Sequence, residues 1–223
     1  LSWNYKQYPK HYFKLITASP VCMWWSRLRN TWIGRKLKAH GDEIITKEII
    51  QQDIENYGIP MVDKIFEILD YFDPEFFIIE NPTSGKMKNY ISELIPFYDI
   101  DYCKYSNFGY KKTTRFWTNI KNLKFESCNN DCKNMVDLEG QHIHKDRMGT
   151  SKTVLHEGKI IRVNTAELRK KYKDFPNMQS KKHKICIGGN EKGRTIGGGN
   201  NRLERYRIPA EIIKLLLNGS API

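Results

Sequence analysis

The stretch ITASPVCMWWS, Ile16 to Ser26, decides how the chain is read. It continues a short apolar run, Tyr12 to Thr17, that has the character of a buried strand and stops at Ser19-Pro20. The turn beyond presents a single thiol, Cys22. Open α/β sheets place ligands and nucleophiles just outside their strand ends. That position suits a reactive group, although burial as a small apolar residue is the commonest fate of a free cysteine. Trp24 and Trp25 follow at once and could wall a pocket for a flat ring.

Working outward, the segment from Trp24 to Lys38 mixes aromatic residues with Arg27, Arg29, Arg35, Lys36 and Lys38, a composition suited to lying along a phosphate backbone. Thr46 opens an amphipathic helix reaching about Tyr57, which Gly58 and Pro60 punctuate. Val62, Ile65, Phe66, Leu69 and Phe72 then recur at helical spacing, giving a helix with one face on a sheet. Phe76 to Ile79 is a continuous apolar run, as in a parallel strand buried on both faces, and Glu80 stands at its end. A helix over Met87 to Ile95 and strands over Ile100 to Tyr105 and Thr114 to Thr118 complete an alternation that predicts an α/β fold.

A net charge of +12 and 12% aromatic residues in 223 suit a polyanionic partner with flat bases. Part of the lysine excess matches the Lys, Asn and Ile bias of an A+T-rich coding sequence. Five cysteines without a secretory leader point to reduced thiols in the cytoplasm or nucleus rather than a disulfide framework. No apolar run approaches the roughly 20 residues of a membrane helix. The opening LSWNYKQYP, beginning at Leu1, reads as the interior of a longer protein. Oligomeric state is not legible.

ASPVC at Ala18 to Cys22, IIENP at Ile78 to Pro82 and YKKTTRFWTN at Tyr110 to Asn119 resemble, in order and spacing, the catalytic motifs of cytosine-5 DNA methyltransferases of the phage and large-virus type. The resemblance covers about half of the chain. It implies a Rossmann-like methyltransferase sheet, with S-adenosylmethionine as methyl donor and double-stranded DNA as substrate. Cys22 would be the nucleophile that adds to carbon 6 of a flipped cytosine, with cations such as Arg27 favouring its thiolate. Glu80 would be the acid at N3, and Arg115 the guanidinium at the ring O2. Pro20, Asn81, Pro82, Lys111, Lys112 and Thr113 would line the substrate.

Several positions depart from that pattern. Val21 stands where the family usually has a second proline, Thr113 where it has an arginine and Lys111 where it has a glutamine. The family's glycine-rich cofactor loop has no counterpart before Cys22, so no cofactor-binding residue is assigned. The glycine-dense segment Gly193 to Asn201 lacks the preceding strand that a dinucleotide fingerprint needs. These departures support a second expectation, a methyltransferase-like protein that binds DNA without chemistry. An RNA target uses the same ring chemistry, and nothing in the sequence reads a 2′-hydroxyl.

The expected organisation is a catalytic part at residues 1–125, a polar, loop-like target-recognition segment at 126–205, and a C-terminal helix at 206–223 returning to the core through Ile212, Ile213, Leu215, Leu216 and Leu217. Within the middle segment Cys128, Cys132, His142 and His144 offer sulfur and imidazole ligands of the kind that bind structural zinc, at a spacing that matches no standard finger.

Overall fold

The Cys22 turn hangs from the end of a short strand. In the computed structural model, which describes residues 3–138, 140–145, 151–156, 159–164 and 207–219, that strand is β1 (Leu15–Ala18). A helical run follows, α1 (Lys47–Asp53) and α2 (Ile59–Phe72), joined without a break by a π-helical segment, Ile54–Gly58. The Thr46 hydroxyl caps α1 by accepting from the Ile49 amide at 3.3 Å. Gly58 does not stop the helix as its residue type suggested. A β-carbon there would lie 2.9 Å from the Trp25 ring, so the glycine serves close approach while its own φ of −74° stays helical. Pro60, which has no N–H to continue the ladder, stands at the second position of α2, directly after the π-helical segment.

Next come β2 (Phe76–Pro82), β3 (Phe97–Asp101), a helical turn α3 (Tyr102–Tyr105) and β4 (Thr113–Thr118). The sheet order is β1-β2-β4-β3. β1 and β2 are parallel, with Ala18 beside Ile79, whereas β2 and β4 are antiparallel, with Asn81 beside Arg115. The fold is therefore mixed α/β on a mixed sheet. Between β2 and β3 the expected helix shrinks to a single turn, Met87–Asn89. Met87 and Ile91 have helical spacing and are buried, but the Ser92 hydroxyl takes the Leu94 amide at 3.2 Å, ahead of Pro96, so no helix propagates. The strand expected to begin at Ile100 starts earlier, at Phe97, and ends where Tyr102 and Cys103, consecutive and both buried, depart from strand alternation.

One face of the sheet builds the main core. Ile79 and Trp117, paired in register, join Trp25, Ile54, Val62, Leu69, Met87 and Ile91, with Ile16 and Ala18 packed against them. Truncating a residue such as Leu69 to alanine is expected to cost about 2–5 kcal/mol.

The chain divides into two compact units, residues 1–100, 113–123 and 219–223 in one and 101–112 and 124–218 in the other. The first holds the sheet and the α1–α2 run. The second includes α3 and two antiparallel hairpins, β5 (Met135–Leu138) with β6 (Gln141–His144) and β7 (Ser151–His156) with β8 (Lys159–Asn164), so this region is not merely loop. Its strands are short and set their apolar residues in adjacent pairs, such as Met135-Val136, Val154-Leu155 and Ile160-Ile161, so they give no period-2 signal in the sequence. A last helix, α4 (Ala210–Gly219), buries Ile212 and Leu216 and exposes Ile213, Leu215 and Leu217. The glycine-dense segment at 193–201 lies outside the described residues. Among the described residues no helix is long and apolar enough to cross a membrane.

Candidate active site

Cys22 is a half-buried cysteine outside any disulfide, four residues beyond the end of β1. Its turn is drawn tight by Trp25 N donating to the Cys22 carbonyl at 3.2 Å and Ser26 N donating to the Met23 carbonyl at 3.3 Å. Val21 and Met23 on either side are exposed, while Pro20 is buried. The turn is also tied to the end of β2. Asn81 Nδ2 donates to the Pro20 carbonyl at 3.0 Å, and Lys86 N to the Trp25 carbonyl at 2.8 Å. Gly85 permits that approach, because a β-carbon there would stand 3.3 Å from the Pro82 carbonyl and 3.4 Å from that of Trp25. The motif residues around Cys22 and Glu80 thus meet through backbone and amide contacts.

The two tryptophans do not form one wall. Trp25 is fully buried as core, and Trp24 stacks on Tyr57 with ring centroids 4.7 Å apart. Arg29 is not available to a phosphate backbone. It is 1% exposed, paired with Asp53, and lies between Trp24 and Trp32 at 5.4 and 5.6 Å from their ring centroids.

Glu80 is buried next to Asn81, in register with Phe116. The pairing of β2 with β4 is unbroken from Ile78 to Pro82, so alternation places Glu80 on the Phe116 face and Arg115 with Asn81 on the other. Both lie at the edge where β2 ends. Arg115 is anchored there by Asp99, which accepts from Nε and Nη2, and by the Phe97 ring. Thr113 offers its carbonyl to the Thr83 amide and hydroxyl at 3.2 and 2.9 Å.

In the second unit, Lys111 donates to the Cys128 carbonyl at 2.9 Å and pairs with Asp101 at 3.3 Å, while Lys112 is buried with its ammonium 4.6 Å from the Tyr102 ring centroid. A sulfur-rich cluster lies in the same unit. Cys103, Cys128, Cys132 and His144 bring their ligand atoms within 4.8 Å of one another. Three of the four expected metal-ligand positions need only Cys103 to complete the set; His142, set opposite Asp137 in the hairpin register, meets that carboxylate at 2.7 Å instead. Burial, then the hydrogen bond with Cys128, pushes the Cys103 thiol far up. Burial also raises Cys128, but hydrogen bonds from Cys103 and from the Asn130 and Asp131 amides outweigh it and hold that thiol below its ordinary value.

No family model matches the chain. Over 138 residues it is 41% identical to a curated protein of Frog virus 3 (isolate Goorha) described as "Probable DNA (cytosine-5)-methyltransferase", an alignment covering 60% of this chain and 61% of that protein. What the chain resembles over these residues is a probable viral cytosine-5 DNA methyltransferase. The chain spans about three fifths of the length of that relative. Two partners were missed by sequence reading. Asp99 gave no signal in an alternating polar strand, and Cys103 sat in the run DYCKY, where it read as an apolar strand residue.

Proposed function

We propose that the chain is part of an S-adenosylmethionine-dependent DNA cytosine-5 methyltransferase with a Rossmann-like catalytic sheet, acting on a cytosine flipped out of double-stranded DNA. The observation that supports this most is the 3.0 Å bond from Asn81 to the Pro20 carbonyl. It joins the turn bearing the Cys22 thiol to the strand end bearing a buried carboxyl, the two groups that activation of cytosine requires.

Carbon 5 of cytosine is a weak nucleophile. Addition of the Cys22 thiolate to carbon 6 forms a C–S bond and moves the ring π electrons so that carbon 5 can attack an electrophile. Negative charge develops at N3 and O2. The buried Glu80 carboxyl would supply a proton at N3. Arg115 would stabilise charge at O2 from β4, beside the end of β2, with Pro20, Asn81, Pro82 and Thr113 framing the substrate. Residues 126–205 would carry target recognition, and the basic surface would hold the DNA backbone.

S-adenosylmethionine supplies the methyl group in such a reaction. Among the described residues no glycine-rich turn joins a strand to a helix: β1 runs into Pro20, β2 into a turn and one 3-10 turn, and β3 directly into α3. The described residues therefore do not provide a cradle for that cofactor, and none is assigned to it. The anchoring of Arg115 by Asp99, together with Val21 in the nucleophile's turn, favours a second reading, a methyltransferase-like DNA-binding protein without catalysis.

Covalent trapping separates the two. The longest reading frame containing this chain is incubated with S-adenosylmethionine and DNA carrying 5-fluorocytosine, whose fluorine blocks release of the thiolate. An intact-mass adduct that disappears in Cys22→Ser is the expected result. A protein that binds DNA and cofactor but forms no adduct would instead be the binding module.

A further inference from the structure

We propose that Cys103, Cys128, Cys132 and His144 bind a structural zinc ion that fastens the β5–β6 hairpin and the preceding turn to α3. The four ligands come from three separate pieces of chain: Cys103 from α3, Cys128 and Cys132 from the turn before β5, and His144 from the end of β6.

The spacing is that of a coordination sphere. A tetrahedral zinc with Zn–S of about 2.3 Å and Zn–N of about 2.0–2.1 Å sets a sulfur and a nitrogen ligand about 3.6 Å apart. His144 Nε2 lies 3.5 Å from Cys128 Sγ and 3.4 Å from Cys132 Sγ. One imidazole nitrogen has either one lone pair or one proton, so it cannot serve two thiols equally as a hydrogen-bond partner. A metal ion between them serves both. A disulfide would join only two of the three sulfurs and strand the third. Soft thiolates with one imidazole select zinc among the common divalent ions, and four protein ligands leave no open position for substrate, which makes the site structural.

The surroundings hold the ligands in place. The Cys128 amide donates to Asp101 Oδ2 at 2.8 Å, and Lys111 bonds the Cys128 carbonyl. Asn134 Nδ2 donates to the carbonyls of Cys103 and Ser106, both at 2.8 Å, tying the turn between Cys132 and β5 to α3. On binding, three thiol protons pass to solvent, and three thiolates with a neutral imidazole leave the site at a net charge of −1. The binding free energy then becomes folding free energy for a region otherwise built of short hairpins.

The test uses the full chain, purified under reducing conditions without chelator. Native mass spectrometry and elemental analysis are expected to find about one zinc per chain. Cobalt exchange is expected to give a tetrahedral spectrum whose sulfur-to-metal charge-transfer intensity corresponds to three thiolates. This readout holds even where a ligand variant fails to fold. Cys103→Ser should lose the metal and His142→Ala should keep it. A chain that carries no zinc, with all thiols free or with a mass lowered by two hydrogens from a disulfide, overturns the proposal. So does a metal that survives Cys103→Ser and is lost with His142→Ala.

Discussion

Arg115 donates from Nε and Nη2 to the two carboxylate oxygens of Asp99, each at 2.7 Å, and its guanidinium carbon lies 3.6 Å from the Phe97 ring centroid. The fork is planar and bidentate, the geometry in which arginine outperforms lysine. Its partner carboxylate is more than a third exposed, so solvent screening leaves the pair worth about 1 kcal/mol or less. Such a hold is weak enough to be released or shared when a base with developing negative charge arrives.

Arg115→Ala is therefore expected to slow adduct formation on fluorinated DNA about 10²-fold or more while changing stability little. Arg115→Lys should not restore the rate, because an ammonium cannot make the two parallel bonds. Time courses of the adduct, with denaturant midpoints alongside, check this. A rate within a few-fold of wild type would reduce Arg115 to a strut between β4 and β3.

Gly58 gives a stability prediction with a defined sign. In an exposed helix, glycine to alanine gains about 1 kcal/mol. Here the added β-carbon would meet three atoms of the Trp25 ring at 2.9, 3.1 and 3.2 Å, and overpacking of that kind costs about 1–3 kcal/mol. Trp25 is fully buried among Ile54, Val62 and Ile79, so it has little room to move. Gly58→Ala should lower the urea midpoint and, because Trp25 ends the Cys22 turn, slow adduct formation as well. A variant more stable than wild type would show that the ring can shift.

These particulars also show what could be read from sequence. The strand end after Ala18 was legible because its apolar run is bounded by Pro20, and the α2 face was legible from its period; β2 was legible as an apolar run, but it continues past Ile79 through Glu80-Asn81-Pro82, where polar residues pair with β4. The direction of β4 was not, since TRFWT pairs equally well either way and only its antiparallel register with β2 decides which face Arg115 takes. Ser92 ended a helix that Met87 and Ile91 suggested, because a side-chain hydroxyl competing for a backbone amide leaves no trace in apolar spacing. At the sulfur cluster, the choice between His142 and His144 follows from the hairpin register, which sets His144 opposite Met135, close to Cys132, and His142 opposite Asp137, nearer the hairpin turn; Cys103 enters from 25 positions before Cys128, too far for spacing to reveal.

Arg29 and Asp53 form a buried pair, with His40 Nε2 3.6 Å from the same carboxylate and Trp24 and Trp32 flanking the guanidinium. Arg29 Nε and Nη1 are buried without a hydrogen-bond partner, so Asp53 is the main compensation for the buried charge. Asp53→Ala should destabilise the protein by about 3–5 kcal/mol, whereas replacing both residues by apolar ones of similar volume, Arg29→Met with Asp53→Leu, should fall near neutral or above. Denaturant unfolding of the three proteins measures the difference. Equal losses in the single and double variants would mean that the pair is wanted for its geometry, not only to cancel a charge.

The proposed chemistry can be tested without a methyl donor. Once the Cys22 thiolate has added to carbon 6, carbon 5 can take a deuteron from heavy water. Loss of the original hydrogen from carbon 5 then expels the thiolate and restores cytosine, so atoms and charge balance with solvent as the only co-reactant. Target cytosines in DNA should therefore exchange their C5 hydrogen in the presence of the protein, read by mass spectrometry of the recovered nucleosides. Cys22→Ser should reduce exchange to background while leaving DNA binding within a few-fold, because it removes a nucleophile and no phosphate contact. Glu80→Gln should slow exchange by about 10²–10⁴-fold, the usual contribution of a positioned acid. The DNA-binding reading predicts no exchange at all from a protein that still holds DNA, and exchange that survives Cys22→Ser would move the nucleophile elsewhere.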